Sequence, residues 1–213
     1  MRRFRIVQIT DTHVEAPGRL WKSRVDMAAR LAAAVERVNA LAPDLVVHTG
    51  DVVDGGDDAA YRVAAGLLGR LEAPLLALPG NHDARDGMRR FLPDAVPADG
   101  AFLEFAREAE GLALLGLDTV EEHRTAGRFC EARADRLRGR LAEASGPALV
   151  FQHHPPCPMA LPHMDRFVFE GEALYAAAMA EAPPLRVACG HVHAAAERHF
   201  AGTVVSACPA VGV

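Results

Sequence analysis

The sequence carries seven side chains of the types that bind metal ions, in short motifs spread over most of its length. They are two carboxylates, one amide and four imidazoles: Asp11, Asp51, Asn81, His13, His153, His191 and His193. Seven donors are too many for one ion, whereas two ions that share Asp51 would use four each and leave positions for water and substrate. Nitrogen and oxygen donors without thiolate suit manganese, iron, zinc or cobalt better than calcium, magnesium or copper(I). The motifs therefore predict a dinuclear metal centre whose metals the sequence does not identify.

The spacing within the motifs supports a shared centre. Asp11 and His13 are two residues apart, as are His191 and His193, and in an extended chain this spacing directs both side chains to one side. Glycine adjoins three of the motifs, where a missing Cβ permits a sharp turn and a close approach of the ion. These glycines are Gly50, Gly80 and Gly190.

Each motif follows a short apolar run that is typical of a buried strand. The predicted strands are Phe4–Ile9, Leu45–His48, Leu75–Leu78, Leu112–Leu117, Ala148–Gln152, Leu185–Ala188 and Thr203–Ala207. Most of these runs are nearly wholly apolar, as strands covered on both faces are. In open α/β sheets the binding crevice lies outside the carboxyl ends of the strands. We therefore expect the ligands to meet in one cleft.

Stretches of helical periodicity separate these runs, and the alternation predicts an α/β fold with a largely parallel sheet. One helix is expected between Val25 and Ala42, ending before Pro43. A second, from Tyr61 to Leu71, would be capped by Asp57 or Asp58. The remaining predicted helices are 134–144 and 171–181, and Pro155 to Arg166 is expected to be an extended surface loop.

Composition limits the class of protein and its partners. The 213 residues are 50% hydrophobic and 24% charged, which fits a single domain over residues 1–213, and no repeat or long linker divides them. The net charge of −5 provides no basic excess for a nucleic acid polymer or an anionic membrane. A small-molecule substrate is the expected partner, and the composition does not decide whether the chain forms a homo-oligomer.

Cysteine usage and hydropathy indicate the compartment. The four cysteines form no C-x-x-C pair, which argues against a thiolate zinc site and a disulfide framework. The apolar positions at the start are too few for a signal sequence, and no apolar run is as long as a membrane span. We therefore expect a cytoplasmic protein.

Other conspicuous residues have plainer interpretations. Asp54 belongs to an acidic run that is typical of a solvated face or a helix cap. His48 lies inside an apolar strand and is expected to be a hydrogen-bonded core histidine. Trp21 and Lys22 could contact a substrate phosphate, but surface solvation is the favoured interpretation.

In their order along the chain, the motifs D-x-H, G-D, G-N-H-D, H-H-P-P and G-H-x-H resemble those of the calcineurin-like metallophosphoesterases, from Asp11 to His193. The chain is most similar to the bacterial class III cyclic-nucleotide phosphodiesterases and glycerophosphodiesterases, because a proline-bearing loop, Met159 to Asp165, follows H-H-P-P. The resemblance implies the metallophosphoesterase fold, a four-layer α/β/β/α sandwich of two mixed β-sheets.

The resemblance also implies a role for each motif residue. One metal would be held by Asp11, His13, Asp51 and His193, and the other by Asp51, Asn81, His153 and His191. Asp51 would bridge the two ions. His82 would be the catalytic residue, it would bind substrate together with Asn81, and a metal-bridging hydroxide would attack phosphorus. Candidates for fixing imidazole tautomers are Asp83, Asp118 and His154.

The expected function is hydrolysis of small phosphodiesters, such as a cyclic nucleotide or a glycerophosphodiester. The alternatives are a phosphomonoesterase or nucleotidase built on the same centre, and a non-catalytic scaffold that keeps the fold to bind partners. The chain ends twenty residues after His193, whereas the phosphodiesterases that it resembles usually continue. A short tail predicts a more open site that tolerates bulky diesters.

Overall fold

Two β-sheets form the centre of the protein in this computed structural model, which describes residues 3–167 and 169–212. The first sheet is parallel throughout, in the order β1 (Ile6–Ile9), β2 (Leu45–His48) and β3 (Leu75–Ala77). The second has the order β4-β5-β6-β7-β9-β8 and is mixed. Its strands are β4 (Phe105–Ala109), β5 (Leu112–Leu117), β6 (Ala148–Gln152), β7 (Arg186–Cys189), β8 (Ala196–Phe200) and β9 (Thr203–Ala207).

Strands β4 and β8 are the edge strands of the second sheet and were not predicted from the sequence. Each pairs antiparallel with its neighbour, whereas β5, β6, β7 and β9 run parallel. Both are polar and largely exposed, so neither contains an apolar run. Each hairpin turns at a residue pair with positive φ, Glu110-Gly111 and Ala201-Gly202, as two-residue hairpins require. The expectation of one largely parallel sheet is corrected accordingly.

Five helices are present among the described residues: α1 (Met27–Ala40), α2 (Asp58–Leu68), α3 (Arg85–Phe91), α4 (Glu131–Glu143) and α5 (Glu172–Met179). Helix α1 begins after Asp26, whose side chain accepts a hydrogen bond from the Ala29 amide, and α2 is capped in the same way by Asp57. The short helix α3 was not predicted. Among the described residues, no helix combines the length and apolar character needed to cross a bilayer.

Successive side chains of a strand point to opposite faces of its sheet, and this alternation produces four layers. Val46 of β2 packs with α1, α2 and α3, while its neighbours Leu45 and Val47 pack between the two sheets. In β5, Leu114 faces the first sheet and Leu115 packs with α4 and α5. Each fully buried aliphatic side chain contributes about 1.5–3 kcal/mol. The four-layer α/β/β/α arrangement is confirmed. The two sheets pack face to face, and the carboxyl ends of five strands lie at one edge: β1, β2, β3, β6 and β7.

Candidate metal centre

The seven predicted ligands lie together at the shared edge of the two sheets. Each follows the carboxyl end of a strand: Asp11 and His13 follow β1, Asp51 follows β2, Asn81 follows β3, His153 follows β6, and His191 and His193 follow β7. The first ligand group is Asp11, His13, Asp51 and His193, and the second is Asp51, Asn81, His153 and His191. Each draws residues from both sheets, so the packing of one sheet on the other assembles the site.

The backbone at most of these positions is in the left-handed region. The φ angles are 51° at Asp11, 38° at His13, 54° at Asp51, 70° at His191 and 56° at His193. A side chain other than glycine costs about 1–2 kcal/mol there. Backbone hydrogen bonds between the loops after β1 and β2 offset this cost. The Asp11 amide donates to Gly50 O (3.0 Å) and the His13 amide donates to Asp51 O (2.9 Å). The extended-chain explanation for the Asp11-x-His13 and His191-x-His193 spacings was therefore wrong, although all four side chains do reach the same site.

The glycines of the motifs make room for the loops to meet. A Cβ on Gly80 would lie 2.1 Å from Asp51 Oδ1, and one on Gly190 would lie 2.0 Å from Thr10 Oγ1. Gly50 has a φ of 100°, and a Cβ there would lie 2.6 Å from the Gly80 amide nitrogen. Gly50 is the one of these three that needs the sharp turn, and all three allow a close approach of neighbouring loops.

The first ligand group is a compact cluster of side chains that contact one another. His193 Nε2 lies 3.2 Å from Asp11 Oδ1 and 3.1 Å from His13 Nε2. His13 Nε2 is in turn 3.6 Å from Asp51 Oδ2. Four ligand atoms, one from each residue, lie within 4.8 Å of one another. This spacing suits coordination of one cation by all four.

The carboxylate of Asp51 lies between the two groups. Its Oδ2 is 3.6 Å from His13 Nε2 and 3.3 Å from His153 Nε2, while Oδ1 accepts a hydrogen bond from the His82 amide at 2.9 Å. One carboxylate thus faces imidazoles of both groups. This is the position that a bridging ligand of two ions must occupy.

The second ligand group contains buried polar atoms without hydrogen-bond partners among the described residues. They are Asn81 Oδ1, His153 Nε2 and His191 Nε2. His153 donates its Nδ1–H to Thr49 O at 2.8 Å, which leaves Nε2 facing Asp51 Oδ2 at 3.3 Å. A buried polar atom without a partner costs about 1–3 kcal/mol. A cation would satisfy all three atoms, so the residues fit a metal ion here as well as in the first group.

The electrostatics of the site also favour cations. Burial acts to raise the pKa of Asp51, but the adjacent His153 and His13 outweigh it and hold that pKa well below its usual value. Burial acts to lower the pKa of His153, but the carboxylates of Asp51 and Asp11 raise it to about 9. Burial and the neighbouring His153 lower the pKa of His191 to about 3, so this ring is neutral and its lone pair is available. Ionised carboxylates beside the neutral His191 ring attract a divalent ion, which would displace the proton that His153 carries in the absence of metal.

His82 reaches from the site into solvent. Its side chain is 38% exposed, whereas that of His13 is 2% exposed. The His82 Nδ1–H donates to the backbone oxygen of Asp54 at 2.8 Å, so Nε2 remains for other contacts. Its ring lies at 4.9 Å and nearly perpendicular to that of His13. His82 is therefore beside the ligand groups and open to a substrate.

The predicted roles of Asp83 and Asp118 as imidazole partners are corrected by their contacts. Asp83 accepts hydrogen bonds from the amides of Val52, Val53 and Gly80, so it joins the β2 and β3 loops. Asp118 binds the Arg85 guanidinium with both oxygens, at 2.7 and 2.9 Å. Both carboxylates hold loops in place, which sequence spacing does not distinguish from orienting a ligand.

His154 lies behind the second ligand group and has partners for both ring nitrogens. Nδ1 is 2.8 Å from Thr119 Oγ1 and Nε2 is 3.1 Å from Thr125 O. Burial, with the nearby His191 and His153, holds its pKa well below the usual value. The neutral ring packs against His191 at 4.7 Å and His153 at 4.8 Å. It thus supports two ligands by packing and fixes no tautomer of theirs through a hydrogen bond.

Asp54 and Trp21 belong to the site although the sequence favoured a surface interpretation for both. Asp54 Oδ1 accepts hydrogen bonds from His13 Nδ1 at 3.0 Å and from Trp21 Nε1 at 2.9 Å. Asp57, the next acidic residue, is the α2 cap that was predicted. The position of Asp54, three residues after Asp51, is the one local signal that could have singled it out.

An open cleft of about 510 Å³ leads to both ligand groups. Its walls include Trp21, Lys22, Arg166 and Phe167. The segment Pro155 to Arg166, predicted as an extended surface loop, folds back instead: Asp165 accepts hydrogen bonds from the amides of Met159 and Leu161, and Met159 is buried. The turned segment forms part of the cleft wall.

Comparison with known proteins agrees with this geometry. The family model of the calcineurin-like phosphoesterases matches residues 4–195. The chain belongs to this family. Membership implies divalent metal ions, and the assignment of the seven side chains as their ligands stays a prediction.

Two named relatives are similar in sequence to most of this chain. A probable cyclic nucleotide phosphodiesterase of Rhodopseudomonas palustris is 40% identical over 169 residues, which are 76% of this chain and 61% of that protein. The glycerophosphodiester phosphodiesterase of Enterobacter lignolyticus is 30% identical over 96% of this chain and 76% of its own. The chain thus spans about three fifths of the first relative and three quarters of the second.

A solved structure shows the same fold at low sequence identity. A dimetal phosphatase from Danio rerio superimposes with a TM-score of 0.76 at 16% identity, over 98% of this chain and 88% of that protein. The match confirms the metallophosphoesterase fold that the motifs implied.

Proposed function

We propose that this chain is a phosphodiesterase that uses two divalent metal ions to hydrolyse small phosphodiesters, such as a cyclic nucleotide or a glycerophosphodiester. The position of the Asp51 carboxylate, between His13 and His153, is the observation that carries the proposal. Two divalent ions held there would polarise a phosphoryl group and acidify water near neutral pH. Manganese, iron or zinc suits the donors, which are nitrogen and oxygen without thiolate.

Asn81 and His82 are the residues that we assign to the substrate. The Asn81 amide offers an oxygen to a cation and an NH₂ donor to a phosphoryl oxygen. His82 is anchored through Nδ1 on Asp54 O, so its Nε2 is the atom that can deliver a proton to the leaving oxygen. The proton comes from the imidazolium form of the ring, and Nδ1–H stays on Asp54 O throughout. No protein nucleophile is required.

The shape of the site favours a diester over a monoester. A second cleft, of about 540 Å³, adjoins the first, and the two share Asn81 and His82. The second is lined by polar residues that include Arg85 and His123. A phosphoryl group at Asn81 therefore has space for a substituent on each side, and a diester carries two substituents where a monoester carries one. The two named relatives, a probable cyclic nucleotide phosphodiesterase and a glycerophosphodiester phosphodiesterase, support the same choice.

Hydrolysis of two aryl phosphates after manganese loading tests the proposal. We expect a higher kcat/KM for bis-p-nitrophenyl phosphate than for p-nitrophenyl phosphate. A strong preference for the monoester would replace the diesterase assignment with a phosphomonoesterase. If two bound ions are measured and neither ester is cleaved, the non-catalytic scaffold takes its place.

We further propose a cytoplasmic protein that acts on a small molecule. All four cysteines are free thiols, as a reducing compartment favours. The net charge of −5 disfavours a nucleic acid polymer or an anionic membrane as partner.

A further inference from the structure

Trp21 covers the first ligand group. It is the single tryptophan of the chain and is only 7% exposed. Its ring stacks on that of His13 at 5.2 Å with an interplanar angle of 25°, and lies 5.8 Å from the His193 ring. The indole therefore packs against both imidazoles of the first group.

Trp21 and His13 are also joined through a shared hydrogen-bond acceptor. Asp54 Oδ1 receives the indole Nε1–H at 2.9 Å and the His13 Nδ1–H at 3.0 Å. With Nδ1 protonated, His13 presents the lone pair of Nε2 to Asp11, Asp51 and His193. The indole N–H fixes the carboxylate that in turn fixes this tautomer. Ring stacking and hydrogen bonding thus hold one imidazole in one orientation.

The segment that carries Trp21 adopts a strained turn. Lys22 and Ser23 have φ angles of 48° and 58°, and the Trp21 amide donates to Val25 O at 2.9 Å. Two successive left-handed residues usually contain glycine or asparagine, so Lys-Ser costs about 1–2 kcal/mol per residue. The turn brings Lys22 Nζ to 3.9 Å from the indole centroid. Strain of this kind, next to the site, is the sort that functional positioning maintains.

A substrate-stacking role for Trp21 does not fit these contacts. His13 stacks on the ring at 5.2 Å, the Lys22 ammonium lies 3.9 Å from its centroid, and little of the ring reaches solvent. A base or aryl group has no free indole face on which to stack. The contacts of Trp21 point to the metal ligands.

We propose that Trp21 is a positioning residue for the first metal ion, which fixes the His13 imidazole by stacking on it and by orienting Asp54. The inference rests on the proposed metal centre and goes beyond it, because no motif includes residue 21. Its effect should be on the affinity of one ion of the two.

Manganese binding to Trp21→Phe and Trp21→Ala variants tests this inference. Phenylalanine keeps a stacking ring and removes the N–H, whereas alanine removes both. Residues that orient a metal ligand typically contribute 10–100-fold to affinity, so we expect Trp21→Ala to weaken one manganese ion by about tenfold or more and leave the other unchanged. Trp21→Phe should fall between Trp21→Ala and the unmodified protein. Calorimetric titration measures both constants, and paramagnetic resonance distinguishes a coupled manganese pair from a single ion.

A double-mutant cycle with Asp54→Asn shows whether the indole acts through the carboxylate. If it does, Trp21→Phe lowers the manganese affinity little once Asp54 has been replaced, because the effects of substitutions in one hydrogen-bond network are not additive. Phe91→Ala is the matched control, since it removes an aromatic ring that stacks on Tyr61 at 5.9 Å and lines neither of the two clefts beside the ligand groups. This control should lower the thermal stability and leave both manganese constants unchanged. It also retains Trp21, and we expect manganese to quench the fluorescence of Trp21 equally in this variant and in the unmodified protein.

The outcomes separate this inference from the proposed function. Equal manganese constants for the unmodified protein and both Trp21 variants would overturn the inference and leave the dinuclear centre intact. Equal weakening of both ions by Trp21→Phe would also overturn it, because that pattern indicates a general loss of structure. If the unmodified protein binds no manganese, the proposed function and the inference fail together.

Discussion

The two ligand groups share Asp51 but are held in different ways. In the first group the imidazoles of His13 and His193 contact each other, and the side chains of Asp54 and Trp21 orient His13. In the second group a backbone oxygen fixes His153, whose Nε2 faces Asp51, and Asn81 Oδ1 and His191 Nε2 have no hydrogen-bond partner among the described residues. A site whose donors satisfy one another tolerates the loss of its ion, whereas a site with unpartnered buried atoms depends on it. The second group should therefore bind its ion more tightly.

The strongest test of this comparison removes the carboxylate that both groups share. We expect Asp51→Asn to lose both ions and to lower the phosphodiesterase rate at least about a thousandfold, because metal ions supply several kcal/mol of transition-state stabilisation. Metal analysis and initial rates measure the two effects. Asp57→Asn is the matched control, since asparagine caps a helix as well as aspartate does. Retention of one tightly bound ion by Asp51→Asn would show that the carboxylate does not bridge.

A second test leaves both groups intact and removes the proposed proton donor. His82→Ala should lower kcat about 100-fold to 1000-fold, within the range for a general acid, while the content of metal stays at two ions. The His82 side chain belongs to neither ligand group, so the lower kcat would reflect the loss of the proton donor and not the loss of metal. The counts of metal and the kcat are to be measured on the same preparation. A parallel loss of metal would move His82 into the ligand set.

Metal binding should also raise the thermal stability, and the two groups should contribute separately. One ion at a hundredfold excess over its Kd stabilises the fold by about 2.7 kcal/mol. This corresponds to a rise in Tm of about 5–10 °C for a chain of this size. Replacing His191 by alanine should remove the rise in Tm that the second ion causes and keep the rise that the first ion causes. Scanning calorimetry with manganese and with a chelator gives both values, and an unchanged rise in His191→Ala would contradict the assignment of His191.

The smallest expected effect comes from His48, which lies beneath the first group. It is fully buried, donates to Thr12 Oγ1 at 3.0 Å and accepts from the Gly50 amide at 3.2 Å. Burial lowers its pKa to about 4, from about 6.5 in the unfolded chain. The unfolded state therefore binds the extra proton, and stability is lost as the pH falls from 6.5 through 4, by about 2 kcal/mol at pH 5.

His48→Gln removes this titration and should flatten that part of the pH dependence. Denaturant unfolding at pH 7 and pH 5, in chelator, compares the two proteins. An equal loss of stability in both would show that other groups cause the acid sensitivity.

Much of the fold and of the candidate site follows from local sequence patterns. The apolar runs before Asp11, Asp51, Asn81, His153 and His191 each correspond to a strand, because strands covered on both faces exclude polar residues. The edge strands β4 and β8 are exposed and polar, so the same pattern does not reveal them. Their signal was the turn chemistry of Glu110-Gly111 and Ala201-Gly202.

The sequence by itself determined which residue types reach the edge of the sheets, since a strand with its following loop is a local unit. The tertiary structure alone decided that Asp51 lies between His13 and His153, that Asp54 holds His13, and that Trp21 covers it. These pairs are separated by 8 to 102 residues, from His13 and Trp21 to Asp51 and His153. Their proximity comes from packing one sheet against the other and from left-handed backbone at the ligands, which the surrounding hydrogen bonds impose against local preference.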